Sequence, residues 1–183
     1  MMTALTFVSF ALALGAPQAC PLHQEDSAAA TADKSPYAGQ DGREIKALSE
    51  ADVRAYLDGT GMGMAKPAEL NQYPGPRHVL DGAETLELSQ AQRVAIDAVY
   101  QRMKAAAMPL GRRVVEVERR LDALFARREA SVDAIGRLTR EAADLQGRLR
   151  AVHLRAHVEV RHLLTADQIV HYVSLRGYGH KGH

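Results

Sequence analysis

Residues 88–126 read LSQAQRVAIDAVYQRMKAAAMPLGRRVVEVERRLDALFA. Apolar side chains recur at Ile96, Val99, Met103, Ala106, Leu110, Val114, Val117, Leu121 and Leu124, in alternating steps of three and four with one repeated four at Leu110. That spacing returns to one side of the helical turn, so it predicts a long helix with a single narrow apolar seam. The slip coincides with Pro109 and Gly111. A proline inside a helix removes a hydrogen bond and crowds the turn before it, which predicts a kink there. Downstream, Ser131 is placed to cap a second long helix whose seam is Ile135, Leu138, Ala142, Leu145, Leu149, Val152, Ala156 and Leu163. Two long helices joined by the short Ala126–Ala130 segment predict an all-α fold built on an antiparallel helical hairpin. Two helices alone bury little, so short flanking helices or a second copy must cover the remaining apolar faces, and a homodimer is expected.

Outward from the hairpin, Tyr73-Pro74-Gly75-Pro76 is a turn signal, with Pro76 at the first turn of a helix through Arg77, His78, Val79, Leu80, Ala83 and Leu86. Earlier, Ser49 caps a short amphipathic helix in which Val53, Tyr56 and Leu57 share a face, and Asp58-Gly59 stops it. The Gly59–Met64 run is Gly-rich but lacks the Lys-Ser/Thr of a phosphate loop, so it reads as a hinge with two packing methionines. From Pro21 to Gln40 there is no periodicity, and a flexible tether is expected. The organisation predicted is thus a leader over 1–20, a flexible region with one short helix over 21–72, a helical domain over 73–177 and a His-containing tail over 178–183.

The leader prediction rests on Thr3–Leu14, an uncharged apolar run of the length of a signal-peptide core and too short for a bilayer span. It predicts export to the periplasm. Cys20 is the only cysteine, which excludes an intramolecular disulfide framework and any multi-cysteine zinc site. Its place after Gly15–Ala19 resembles the lipid-attachment cysteine of bacterial lipoproteins; a lipid anchor at Cys20 and ordinary cleavage near Ala19 are the two alternatives.

Composition narrows the function classes. The 183 residues leave no room for two large domains. Aromatics are 5% with no Trp, so the core must be thin helical packing on Leu, Val, Ile and Ala. The 23 Lys+Arg nearly cancel the 22 Asp+Glu, but residues 87–163 carry 15 basic against 10 acidic side chains. Most of these arginines have acids at helical spacing and read as a solvated face with intrahelical pairs. Nucleic acid is disfavoured as a partner by the balanced total and the lack of interleaved aromatics. No hydroxyl or thiol nucleophile stands with a base and acid in a defined loop, so the chain is read as not an enzyme.

Two segments repeat one pattern: Leu88-Ser89-Gln90-Ala91-Gln92 and Leu164-Thr165-Ala166-Asp167-Gln168. In Leu-[Ser/Thr]-x-x-Gln the hydroxyl caps the N–H at the third helical position while the Gln side chain reaches back to the cap's own N–H. Each cap contributes about 1 kcal/mol. In the second copy Leu164 can staple against Ile169, whereas the first has Arg93 at the corresponding position.

Two such boxes flanking a helical hairpin in an exported chain resemble the Spy/CpxP-like family of periplasmic proteins, known by paired LTxxQ motifs, which also includes heavy-metal sensor and resistance proteins. The resemblance covers roughly Tyr73 to Gly177. Tyr37-Ala-Gly-Gln and Ala68–Leu80 look like a subgroup labelled refolding chaperone or heavy-metal sensor. The chain departs from the motif in Ser89, which replaces Thr, and in carrying Pro109 inside the long helix. The resemblance implies an all-helical, cradle-shaped homodimer that binds unfolded or misfolded envelope proteins without ATP under envelope stress. Arg112, Arg113, Arg119 and Arg120 are the candidate client contacts, and the box residues Leu88, Ser89, Gln92, Leu164, Thr165 and Gln168 are structural.

Eight histidines carry a rival reading. His153 and His157 lie four apart on one helix face, the spacing that brings two imidazoles to one Zn, Ni or Cu ion, with Glu159 and His162 within about two turns. His180 and His183 in the tail add two further ligands. His78 and His171 read as packing or capping residues. No cofactor is required by the chaperone reading; a periplasmic metal sensor that signals to a membrane sensor protein is the alternative, and a passive coiled-coil spacer the third.

Overall fold

The computed structural model describes residues 34–178. The expected leader, Cys20, most of the tether, His180 and His183 lie outside the described residues. From Tyr37 onward the described chain forms one compact unit. It contains helices α1 (Glu50–Leu57), α2 (Lys66–Glu69), α3 (Pro76–Asp81), α4 (Gln90–Ala126), α5 (Val132–Leu163) and α6 (Ala166–Leu175), and no strand among the described residues. The all-α expectation with two long helices holds.

Helices α4 and α5 lie against each other over most of their length. Arg120 pairs with Glu141 at 3.3 Å, Arg102 with Glu159 at 2.7 Å, and Gln92 reaches Leu163. One apolar cluster joins Ile96 and Val99 of α4 to Ala156 and Val160 of α5, with Val79, Leu86, Leu88, Leu164, Ile169 and Tyr172 around them. A second cluster joins Val114 and Val117 to Leu138, Ala142, Leu145 and Leu149, and adds Ile45 and Tyr56 from the N-terminal segment.

The N-terminal segment alters the seam predicted for α4. Ala106 is exposed, and Ala107 is fully buried in its place, together with Gly111 and Val115. Residues 107, 111 and 115 form a second stripe, four apart, and α1 covers it. The backbone of α1 comes so close that a Cβ on Gly111 would sit 2.0 Å from the Tyr56 carbonyl oxygen. Gly111 is therefore a docking point for α1. Helix α4 itself runs through Pro109 without interruption. Ala105, whose carbonyl loses its intrahelical donor to the proline, is exposed, as is Pro109, so water can satisfy the freed oxygen.

Local chemistry accounts for the other boundaries. Ser49 caps α1 with Asp52 in a reciprocal box, and Ser131 caps α5 through the Ala134 N–H at 3.3 Å. Pro76 opens α3 as expected, but the helix stops at Asp81 rather than continuing to Leu86. Gly82 ends it, and the Leu175 side chain of the C-terminal helix packs where a Cβ on Gly82 would lie 3.0 Å away. Ala83 and Leu86 still enter the core, from turns instead of a helix. The expectation of two packing methionines in the hinge is half met: Met64 packs on the second cluster, whereas Met62, with φ of 47°, is exposed.

Candidate functional site

The two boxes form as the sequence predicts, and the structure adds that they lock onto each other. Ser89 Oγ accepts from the Gln92 N–H at 3.2 Å and the Ser89 N–H donates to Gln92 Oε1 at 3.0 Å; Thr165 and Gln168 repeat both bonds at 3.2 and 3.0 Å. The two glutamine amides then pair reciprocally: Gln92 Nε2 donates to Gln168 Oε1 at 2.8 Å, and Gln168 Nε2 donates to Gln92 Oε1 at 3.1 Å. Their remaining donors go to Leu163 O at 2.9 Å and Leu86 O at 3.2 Å. Each amide uses all of its donors and acceptors. Gln92 thus caps the start of α4 and satisfies a terminal carbonyl of α5 at once. Leu88, Leu164 and Ile169 are buried around the pair. Arg93 supplies a polar substitute for the missing staple, donating from Nε to Leu88 O at 3.1 Å and pairing with Glu84 at 2.8 Å.

The four candidate arginines are distributed over different surfaces. Arg119 pairs with Glu44 and Glu116, and Arg120 with Glu141; both border an open groove of about 440 Å³ that also carries Arg127, Glu129 and Arg137. Arg113 lies on another groove, of about 560 Å³, between α4 and α5. Its floor is Ala106, Pro109, Leu110, Ala151 and Val152, and its rim is Arg113, Arg148 and Arg155, with no carboxylate in the lining. Arg112 is exposed and lines neither groove. Sequence reasoning passed over Arg148 and Arg155, although at 35 and 42 residues beyond Arg113 they fall where two helices of opposed direction would bring them together.

The histidines depart most from expectation. The candidate ligand pair lies inside: His153 is 3% exposed and occupies the buried stripe of α5, in place of the predicted Val152, in the series Leu145, Leu149, His153, Ala156, Val160. The steps of four, four, three and four in that series were the available signal. Burial, and the neighbouring His157, push the His153 imidazole below the usual histidine range, so it is neutral at physiological pH. His153 Nε2 is buried without a hydrogen-bond partner. His157 is nearly buried, its Nδ1 2.7 Å from Tyr73 O and 3.6 Å from Glu69 Oε2. Glu69 is itself held by the Tyr172 hydroxyl at 2.5 Å, the Tyr178 hydroxyl at 3.2 Å and Arg176 at 3.5 Å. Burial and this bond to Glu69 raise the Tyr172 phenol far above its usual range. Conversely, His78 and His171, predicted to pack or cap, are exposed, because α3 and α6 turn those positions to solvent. Glu159 is committed to Arg102, and His162 is exposed.

Both inner histidines border a cleft of about 420 Å³ bounded by the Gly59–Gly61 segment, the start of α3 and the facing walls of α4 and α5. Met103, Tyr100, Lys104, Arg77, His78 and Asp58 share it. Among the described residues no group of three or more His, Cys, Asp or Glu side chains is arranged to hold a metal ion. No helix among them is long and apolar enough to cross a membrane. No protein-family model, curated protein or solved structure matches this chain.

Proposed function

We propose that the chain is an exported, Spy/CpxP-like helical chaperone that binds partly unfolded envelope proteins in the periplasm without ATP and without catalysing a reaction. In this reading α4 and α5 are the antiparallel hairpin of a cradle, and a second copy completes a homodimer over apolar side chains such as Val94, Val158 and Val170, which one chain leaves exposed. The observation that carries the reading is the groove between α4 and α5. Three arginines rim an apolar floor that contains no large aromatic, so an unfolded segment is held by charge and shallow contact area at once. Such contacts are weak individually and adaptable in geometry, which suits many clients and allows release without an energy source.

The test is light scattering of a heat- or denaturant-challenged client with and without the purified protein. Suppression at up to equimolar ratio, reduced at least several-fold in Arg113→Glu with Arg155→Glu, supports the reading. No suppression by the folded wild-type protein sinks it. A second reading, a periplasmic metal sensor, is favoured by one observation: His153 and His157 border a cleft instead of standing on a solvated face.

A further inference from the structure

We propose that the cleft bordered by His153, His157 and Met103 is a binding site for a soft monovalent metal ion, Cu(I), with the two imidazoles and the Met103 thioether as its ligands. The inference rests on the metal-sensor reading and is independent of client binding.

The donor set selects the ion. Calcium and magnesium require six or more oxygens, and the only carboxylate on the cleft is Asp58. Zinc sites use three or four N, S or O ligands from the protein; His78 also lines the cleft, with its Nδ1 4.0 Å from Asp81, but no group of three His, Cys, Asp or Glu side chains is assembled among the described residues. Two imidazoles and a thioether, all uncharged, are the soft set that favours Cu(I). The charge of the lining points the same way: Arg77 and Lys104 outnumber Asp58, which opposes a divalent ion more strongly than a monovalent one.

The histidines are prepared for the role. A protonated His157 Nδ1 donates to Tyr73 O, which leaves the lone pair on Nε2, and Glu69 behind it makes the ring a better donor, as carboxylate and carbonyl partners do for metal-bound histidines. Gly75 keeps the approach to that nitrogen open, since a Cβ there would stand 3.0 Å from Nε2. The His153 Nε2 is buried and has no protein partner. Its Nδ1–Cε1 edge faces Gly61, on the cleft. A half-turn of the ring about Cβ–Cγ exchanges Nε2 with Cε1 without changing the ring's outline, and so turns the orphan nitrogen toward Gly61 and the ion.

The experiment is an anaerobic titration of the full chain with Cu(I) buffered by a coloured Cu(I) chelator, together with X-ray absorption of the loaded protein. One Cu(I) per chain with nitrogen and sulfur neighbours is expected, weakened at least tenfold by Met103→Leu and by His157→Gln. Met103→Leu conserves core volume and removes only the sulfur, and circular dichroism of each variant verifies the fold. The tail variant His180→Ala with His183→Ala is expected to bind as the wild type does. Failure to compete with the chelator, undiminished binding in Met103→Leu, or loss of binding in the tail variant alone overturns the site. Zinc or nickel bound through His153 and His157, with Cu(I) affinity indifferent to Met103, overturns the Cu(I) assignment and leaves the metal-sensor reading standing; no metal bound at all overturns both.

Discussion

At one end of α4 and α5, Ser89, Leu163 and Thr165 meet around two glutamine amides whose every donor and acceptor is used, and Leu88, Leu164, Ile169 and Tyr172 are buried beside them. At the other end, the chain turns through Arg127–Ser131 with Phe125 57% and Val132 87% exposed, and the side chains nearby are mostly charged. The first end is fastened by a part-buried pair of amides, where a lost partner leaves others unsatisfied. The second is held by the last apolar contacts of the second cluster at Leu121, Leu124 and Leu138, by a helix cap and by exposed ion pairs of small net value. The repeated motif therefore builds a clamp, and the open grooves that carry Arg113, Arg119 and Arg120 lie along the helices and toward the open end. Between the two stands the α1 contact at Gly111, which carries the N-terminal segment onto the middle of α4.

The largest effect is expected at that middle contact. Gly111→Ala puts a methyl 2.0 Å from the Tyr56 carbonyl, and backbone cannot yield as a flexible side chain does. Helix α1 must lift, at a cost of about 3 kcal/mol by the range for overpacked sites. Urea denaturation followed by circular dichroism reads this as a lowered midpoint; an unchanged midpoint contradicts the close docking of α1.

Next comes the clamp. Gln92→Ala strands the Gln168 amide and the Leu163 carbonyl and opens the first box, for a loss of about 2 kcal/mol. Gln168→Ala costs a similar amount. The double variant costs less than the sum, with a coupling of about 1 kcal/mol, because each single change already breaks the shared pair. Strict additivity in that cycle shows two independent helix starts and removes the contrast between the ends.

His153, about two-thirds of the way along α5, contributes a pH dependence of definite sign. Its folded pKa lies below the unfolded value of about 6.5. Below that pH the unfolded chain binds a proton that the native chain refuses, so its contribution to stability is full above about 6.5 and declines as pH falls toward the depressed native value. His153→Leu removes both the orphaned nitrogen and the titration. The variant is expected to match or exceed the wild type, by about 1 kcal/mol, with a flatter pH profile below 6.5. A steeper profile in the variant contradicts the burial of a neutral imidazole.

What the sequence disclosed follows from which interactions are local. Helix starts at Ser49, Ser89, Ser131 and Thr165 were legible because a cap and its N–H lie within three residues. The long seams were legible because periodicity is local as well. Hidden are the contacts between segments far apart in the chain: the stripe Ala107, Gly111, Val115 is explained only by α1, and Ala106 fits the pattern only for a helix with a single apolar face. The glutamine pair spans 76 residues, so each box reads correctly alone while their union does not appear in either. His153 was legible in principle from its step pattern, but a polar side chain in a buried stripe runs against the usual sorting of residues. The Glu69 network behind His157 joins residues from 69 to 178 and left no mark in any one stretch of sequence.

The smallest stability effect belongs to the open end, and there it separates structure from binding. Phe125 and Val132 are exposed on either side of the Arg127–Ser131 turn, and neither joins an apolar cluster. Replacing both with Ser removes little buried area, so stability changes by less than about 0.5 kcal/mol, the ordinary range for surface positions. Val132 is also the first residue of α5, where serine is tolerated because Ser131 still provides the cap. If this end serves client contact, the same variant loses part of its suppression of client aggregation at unchanged urea midpoint. A loss of stability of about 1 kcal/mol or more, read from a lowered midpoint, shows instead that the two side chains support the fold, and the open end is then a second fastened end.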